Sequence, residues 1–288
     1  MIFFLVLSRM PFPLLYILAD ILYFFSFHVI GYRKKVVMNN LRKSFPEKSE
    51  MEIKEIARRF YINLSDTIVE TIKAITITEK EFTKRVKVNE APFLHKYYEQ
   101  GQSVILMAMH QSNWEWGFLG ASLFSPFQMD AVYSKVQNPF FEKLMLRIRS
   151  RFGAHMIEKQ ELYKQLIARK EITRSIGLIS DQGPHKDIGA YWTKFLNQET
   201  AFFVGAEKVA RKMKYPVIFV YGDREKRGHY IITYKEIAAP PFLPNENYIL
   251  ESFVRALEEV ILHKPENWLW SHRRWKYKNK PAKIKVDQ

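Results

Sequence analysis

The segment Met107-Ala108-Met109-His110-Gln111-Ser112-Asn113-Trp114-Glu115-Trp116 places an imidazole at the end of an apolar run and a carboxylate five positions later. An imidazole whose cation is steadied by a carboxylate can take a proton from a hydroxyl, and the freed oxygen then attacks an acyl carbonyl. With a thioester as donor no enzyme-bound ester is needed, because the thiol leaves directly. The same residues have a plainer meaning. Ser112 followed three places on by Glu115 matches a helix capping box, in which the carboxylate only satisfies backbone N–H groups. Spacing weighs the two equally, since titratable residues five apart often arise by chance.

Other residues offer chemistry with less force. Arg147, Arg149 and Arg151 follow Asn138-Pro139; an arginine beside a site stabilises an oxyanion or holds a phosphate, but a triplet of this kind is ordinarily a solvated helix face. Asp181, in Ser180-Asp181-Gln182-Gly183-Pro184, reads equally well as the cap of a turn. From Lys264 onward Trp268, Trp270 and Trp275 alternate with Lys264, Arg273, Arg274, Lys276, Lys278, Lys280, Lys283 and Lys285. Such a stretch binds phosphates. A bilayer interface is one source, each Lys or Arg adding roughly 1 kcal/mol near an anionic leaflet, and nucleic acid is another; from Lys278 the chain also reads as a solvated basic terminus. Trp270, His272, Arg273 and Arg274 are the residues expected at headgroups. There is no Gly-x4-Gly-Lys loop, Gly-x-Ser-x-Gly elbow or His-Glu-x-x-His pair. His28, His95, His155, His185, His229 and His263 show no ligand spacing, so neither a metal nor an organic cofactor is implied.

These residues need a scaffold. β-branched apolar runs at 103–109, 175–180, 216–221 and 230–234 read as strands, and the stretches 112–124, 138–152, 159–169 and 202–213 between them read as helices. That alternation predicts an α/β sheet covered by helices, with His110 at the carboxyl end of a strand, where ligands sit in such sheets. Ile53, Ile56, Phe60, Ile62, Leu64 and Ile68 mark an amphipathic helix over 51–73, and a last helix spans 246–263. Residues 1–32 are apolar apart from Arg9 and Asp20, and Arg33-Lys34-Lys35, Arg42 and Lys43 come directly after them. A helix from Met10 to Gly31 rises about 33 Å, enough to cross a bilayer. Asp20 near its middle costs roughly 2.5 to 3.5 kcal/mol there, which keeps an interfacial helix open as an alternative; the basic cluster holds the rest of the chain on the cytoplasmic side. No repeat or Gly/Ser linker divides that remainder, so residues 33–288 read as one catalytic domain ending in a basic aromatic tail.

Composition narrows the partners. The chain has 288 residues, 47% of them hydrophobic, which excludes a disordered tail protein. A net charge of +15 calls for an acidic partner: nucleic acid, an anionic bilayer face or an acidic carrier protein. Cysteine is absent, so disulfides, thiolate metal sites and a thiol nucleophile are excluded. The aromatic share of 15% suits contact with lipid.

The strand-His-x4-Asp/Glu pattern at His110 and Glu115 resembles the signature of the glycerolipid and lipid A acyltransferase superfamily, and the surrounding sequence resembles the late acyltransferases of lipid A biosynthesis. Asn40-Leu41 to Phe45-Pro46-Glu47, Asn138-Pro139 with its arginines, Asp181-Gln182-Gly183-Pro184, and Pro265-Glu266-Asn267-Trp268-Leu269-Trp270-Ser271-His272-Arg273-Arg274-Trp275-Lys276 resemble that branch in the same order, over nearly the whole chain. The resemblance implies a central mixed sheet flanked by helices. It implies transfer of a fatty acyl chain from acyl carrier protein or coenzyme A to a hydroxyl of a lipid A precursor, at the cytoplasmic face of the inner membrane. His110 is then the general base, Glu115 its partner, Arg149 the best match to the functional arginine with Arg147 and Arg151 as alternatives, and Asp181 the acid of a later strand. The same chemistry serves a glycerophospholipid or an amino-acid-derived lipid. A basic membrane-tethered nucleic-acid-binding protein and a non-catalytic membrane scaffold are the other classes; no zinc-finger spacing or RNA-binding aromatic motif supports the former.

Overall fold

The computed structural model describes residues 2–184 and 189–276. Two apolar helices open the chain, α1 (Ile2–Arg9) and α2 (Phe12–Phe24), and α2 runs into a π-helical turn at Phe25–Val29. Pro11 separates them: its ring blocks continuation of α1, while Pro13 sits in the first turn of α2, where a missing N–H is harmless. Phe12–Val29 is long and apolar enough to cross a membrane. Three more helices come next, α3 (Lys34–Ser44), α4 (Glu50–Lys73) and α5 (Glu79–Thr83). A capping box starts α4 where its amphipathic spacing begins, Ser49 Oγ accepting from Glu52 N and Glu52 Oε2 accepting from Ser49 N.

The remaining elements alternate: β1 (Val86–Val88), α6 (Pro92–Glu99), β2 (Val104–Ala108), α7 (Trp114–Phe124), β3 (Gln128–Tyr133), α8 (Pro139–Arg149), β4 (His155–Glu158), α9 (Leu162–Ala168), β5 (Arg174–Ile179), β6 (Ala190–Phe195), β7 (Gln198–Phe203), α10 (Gly205–Met213), β8 (Val217–Lys226), β9 (His229–Ala238) and α11 (Tyr248–His263). Seven strands form one mixed sheet in the order β1-β9-β8-β2-β5-β3-β4. From β8 to β4 all neighbours are parallel; β9 returns antiparallel from β8, and β1 pairs parallel with β9. β6 and β7 make a separate hairpin. The expected helix over 202–213 therefore starts only at Gly205, its first residues ending β7 instead.

Both faces of the sheet are covered, so its central strands are apolar throughout. Ile105 and Met107 of β2 face a core shared with α3, α4, α10 and α11, whereas Val104 and Leu106 face a second core with α7 and β9. The parallel register sets Ala108 of β2 opposite Ile179 of β5 and Val220 of β8. The carboxyl ends of three central strands thus reach one edge together. At the tip of the β8–β9 hairpin Gly228 has φ +72°, and a side chain there would collide with the Tyr16 hydroxyl of α2.

Candidate active site

His110 and Asp181 each lie two residues past the ends of neighbouring strands, β2 and β5, and the register brings them together. His110 Nδ1 is 2.8 Å from Asp181 Oδ1. A carboxylate only accepts, so the imidazole carries its proton on Nδ1 and leaves Nε2 free to act as a base. Asp181 is itself held: its Oδ2 accepts from the His110 backbone N–H at 3.0 Å and from Trp268 Nε1 at 2.9 Å. Gln182 Nε2 lies 3.3 and 3.4 Å from the two ring nitrogens. Burial works against the imidazolium, but the charge and hydrogen bond of Asp181 outweigh it, Glu115 adding and Arg149 subtracting, so the His110 pKa is raised. Burial likewise opposes ionisation of Asp181, and the charge and hydrogen bonds of His110 still hold its pKa below the ordinary value.

Glu115 is not the hydrogen-bond partner of His110. α7 begins one residue later than a Ser112 cap requires: Asn113 is the N-cap, its side chain accepting from Trp116 N at 3.0 Å, and Ser112 adopts φ 50° outside the helix. Glu115 then points from the first turn of α7 toward the end of α8, where Arg149 grips it through two bonds, Nε to Oε2 at 2.9 Å and Nη2 to Oε1 at 2.6 Å. The capping-box alternative is equally absent, since both Glu115 oxygens bind side chains, Trp114 Nε1 adding a bond of 3.2 Å. Of the three arginines only Arg149 enters the site. Arg151 donates to the carbonyls of Ile75 and Ile77, and Arg147 is exposed on the outer side of α8.

The expected headgroup surface is corrected in the same way. Trp270 is fully buried, edge-on to Trp268 and against Phe45, with Nε1 donating to Pro265 O at 2.6 Å. Arg274 is buried over the Phe202 ring, donates to Ala201 O at 2.7 Å, and has its pKa pushed down to about 10 by burial. His272 is half-buried, and burial lowers its pKa to about 4; only Arg273 of the four is exposed. Tryptophan and arginine are read equally well as interfacial or as core residues, and here the partners they need are inside the protein. The Trp268 segment clamps the His110 loop: Leu269 N donates to His110 O at 3.1 Å, and Ser112 N to Asn267 O at 2.8 Å. Asn40 in turn binds the carbonyls of Trp270 and His272. Lys278, Lys280, Lys283 and Lys285 lie outside the described residues, as does His185.

Sequence reasoning gives no role to Trp268 as a support of Asp181, nor to Glu70. This carboxyl is fully buried in α4 and accepts from Asn113 Nδ2 at 2.7 Å, Tyr230 at 2.6 Å and Tyr16 at 2.9 Å, thereby fixing the N-cap of α7. Burial pushes its pKa up to about 7.

Beside the site an apolar cavity runs between α7 and the sheet. Met109, Gln111, Trp114, Glu115 and Arg149 line it on the His110 side, and its walls are widened by small residues, among them Ala108, Gly117, Ala121, Gly177 and Gly222. The space inside it that the centre of a water-sized molecule can reach is about 80 Å³, a narrow slot rather than a wide chamber. Among the described residues no group of three or more His, Asp or Glu is placed to hold a metal ion. A proton acceptor with a fixed tautomer, a nearby guanidinium and a greasy channel can deprotonate a hydroxyl beside a bound hydrocarbon chain.

Comparison with known proteins gives the site a context. Residues 1–277 match the model of a family described as bacterial lipid A biosynthesis acyltransferase. The chain is 24% identical over 276 residues to the lipid A biosynthesis lauroyltransferase of Escherichia coli (strain K12), covering 93% of this chain and 87% of that protein. It is 22% identical over 270 residues, with the same coverage, to the lipid A biosynthesis palmitoleoyltransferase of Escherichia coli (strain K12) and to the lipid A biosynthesis acyltransferase of Shigella flexneri.

Proposed function

Because the chain belongs to the bacterial lipid A biosynthesis acyltransferase family and is an O-acyltransferase, we propose that it moves a fatty acyl chain from an acyl carrier protein thioester to a hydroxyl of a lipid A precursor, with His110 as the general base. The observation that carries this reading is the Asp181–His110 pair standing beside an apolar cavity. His110 Nε2 takes the proton of the acceptor hydroxyl as its oxygen attacks the thioester carbon. Asp181 stabilises the imidazolium that forms. Collapse of the tetrahedral intermediate breaks the carbon–sulfur bond, and the imidazolium returns the proton to the departing thiolate. Arg149, held in place by Glu115, offers positive charge to the developing oxyanion. The hydrocarbon chain lies in the cavity under α7, and these steps call on no metal or organic cofactor. The net charge of +15 favours an acidic carrier and an anionic membrane surface, the inner membrane with the site on its cytoplasmic side.

The test uses purified full-length protein, acyl carrier protein loaded with a labelled acyl chain, and a lipid A precursor in detergent. His110→Ala is expected to reduce acyl transfer to the uncatalysed background while keeping the thermal transition of the wild type. Transfer at the wild-type rate by a folded His110→Ala protein overturns the assignment. Replacing the carrier thioester by the coenzyme A thioester, and the precursor by a glycerophospholipid acceptor, reads the donor and acceptor in the same assay.

A further inference from the structure

The apolar N-terminal helix has the length to cross a bilayer, yet its contacts do not leave it free to do so. It runs antiparallel along α4, and the two are fastened from end to end. Lys73, at the end of α4, donates to Met10 O at 3.0 Å just before α2. One turn back, Glu70 accepts from Tyr16; another turn back, Asp66 accepts from Arg227, which also binds Asp20 at 2.6 Å. Near its middle α4 contributes Tyr61, which packs tilted against Phe27 and donates to Tyr32 O beyond the π-turn. Both ends of the apolar segment are therefore pinned to one helix of the catalytic domain. α4 itself carries Glu55, Arg58, Arg59, Asp66, Glu70 and Lys73, and the β8–β9 hairpin beside it carries Arg224 and Arg227. A spanning α2 would draw all of these to hydrocarbon depth.

The side chains of α2 divide accordingly. Phe12, Leu15 and Ala19 are buried against the domain, whereas Leu14, Ile17, Ile21 and Phe24 are each about half exposed. At 100° per residue the two sets lie on opposite sides of the helix. Phe3 and Val6 of α1 are exposed too, and Arg9 before α2 and Arg33 and Lys35 after its π-helical turn are likewise exposed. Tyr16 and Asp20 stand at the border between the two faces, which is where a polar group belongs on a helix half-sunk in a membrane surface.

We propose that α1 and α2 lie in the plane of the membrane, inserted into a single leaflet of anionic lipid by the Ile17–Ile21–Phe24 face, with Arg9 and Arg33 on the same side of the bilayer. The catalytic mouth then stands at the headgroup level of that leaflet, since Phe4 of α1 packs on Phe140 at the start of α8, whose other end carries Arg149.

The chain has no cysteine, so single cysteines report position without background. Full-length Arg9→Cys and Lys43→Cys proteins are exposed to a membrane-impermeant maleimide in inverted and in right-side-out inner-membrane vesicles of the expressing bacterium. Both are expected to react in inverted vesicles only. Reaction of Arg9→Cys from the opposite face, from neither face, or recovery of the protein outside the membrane fraction overturns the proposal. Ile17→Cys carrying a fluorophore is expected to be quenched by lipids brominated on the acyl chain. Absence of quenching, or oxidative cross-linking of Ile17→Cys into dimers, shows instead that another surface or a second copy covers this face and overturns it too. Each variant is also assayed for acyl transfer, so topology and catalysis are judged separately.

Discussion

Asp181→Asn isolates what the carboxylate does for His110. The Oδ2 position of Asp181 receives two N–H donors, the His110 backbone and Trp268, whereas Oδ1 receives only the imidazole. An amide placed here keeps its oxygen toward the two donors and turns its NH2 toward Nδ1. The imidazole must then accept at Nδ1 and carry its proton on Nε2, which blocks the base. To regain the working tautomer the amide must flip and face two buried N–H groups with its own. Each unsatisfied buried donor costs about 1 to 3 kcal/mol, so the flip costs roughly 2 to 6 kcal/mol. At 1.36 kcal/mol per decade that is a loss of about 30-fold to more than 10⁴-fold in kcat. The assay is acyl transfer from acyl carrier protein between pH 5 and 9. In the wild type the raised His110 pKa makes activity fall as pH drops through it, because the base protonates. In Asp181→Asn the main opposition to burial is gone and only the Glu115 charge remains against it, so the imidazole stays neutral to lower pH, and the residual rate should be low and nearly independent of pH across that range. A variant within threefold of the wild type, or one restored by alkali, would refute the tautomer argument.

Trp268→Phe removes one of the two donors to Oδ2 and should lower kcat about tenfold, as expected for a hydrogen bond to a charged group, with vesicle binding unchanged because Trp268 is buried. A Cβ on Gly117 meets no atom within 4 Å and projects from a wall of the cavity; Gly117→Leu should therefore cut transfer of the longest accepted chain at least tenfold relative to shorter ones, measured by mass spectrometry of competing donors. Glu70, with its pKa raised from 4.5 to about 7 by burial, favours folding while protonated. That contribution is complete below pH 4.5 and is lost as pH rises through about 7, on the order of 3 kcal/mol. The difference in unfolding free energy between Glu70→Gln and wild type should accordingly move in favour of the variant over this window, and a constant difference from pH 4.5 to 8 argues against it.

The parts of the fold legible in the sequence are those with unbroken apolar character. β2, β5 and β8 read as strands, and α4 and α11 appear within a few residues of their expected bounds. β3 is hidden because Asp130 sits in its middle, a residue that makes sense only once Arg169 and Arg174 are seen to bind it. β6 and β7 carry alternating polar residues and form a hairpin apart from the main sheet, so nothing in their composition announces them. The site shows the same limit. His110 and Arg149 are legible, but the partner of His110 lies 71 residues away and is selected by strand order, whereas the nearer Glu115 is drawn off by Arg149 from another helix. Spacing along the chain cannot express a choice made by parallel register. Likewise Trp268 and Trp270 read as interfacial because composition does not say on which side of the surface an indole finds its hydrogen-bond acceptor.

The clamp made by Asn267, Trp268 and Leu269 ties the pocket to a remote part of the chain. Trp268 lies 87 residues beyond Asp181 in sequence, and until its segment docks the His110 loop lacks its backbone partners and Asp181 lacks its indole donor. Unfastening this one segment therefore deprives both side chains of their supports together, with every strand of the sheet still paired.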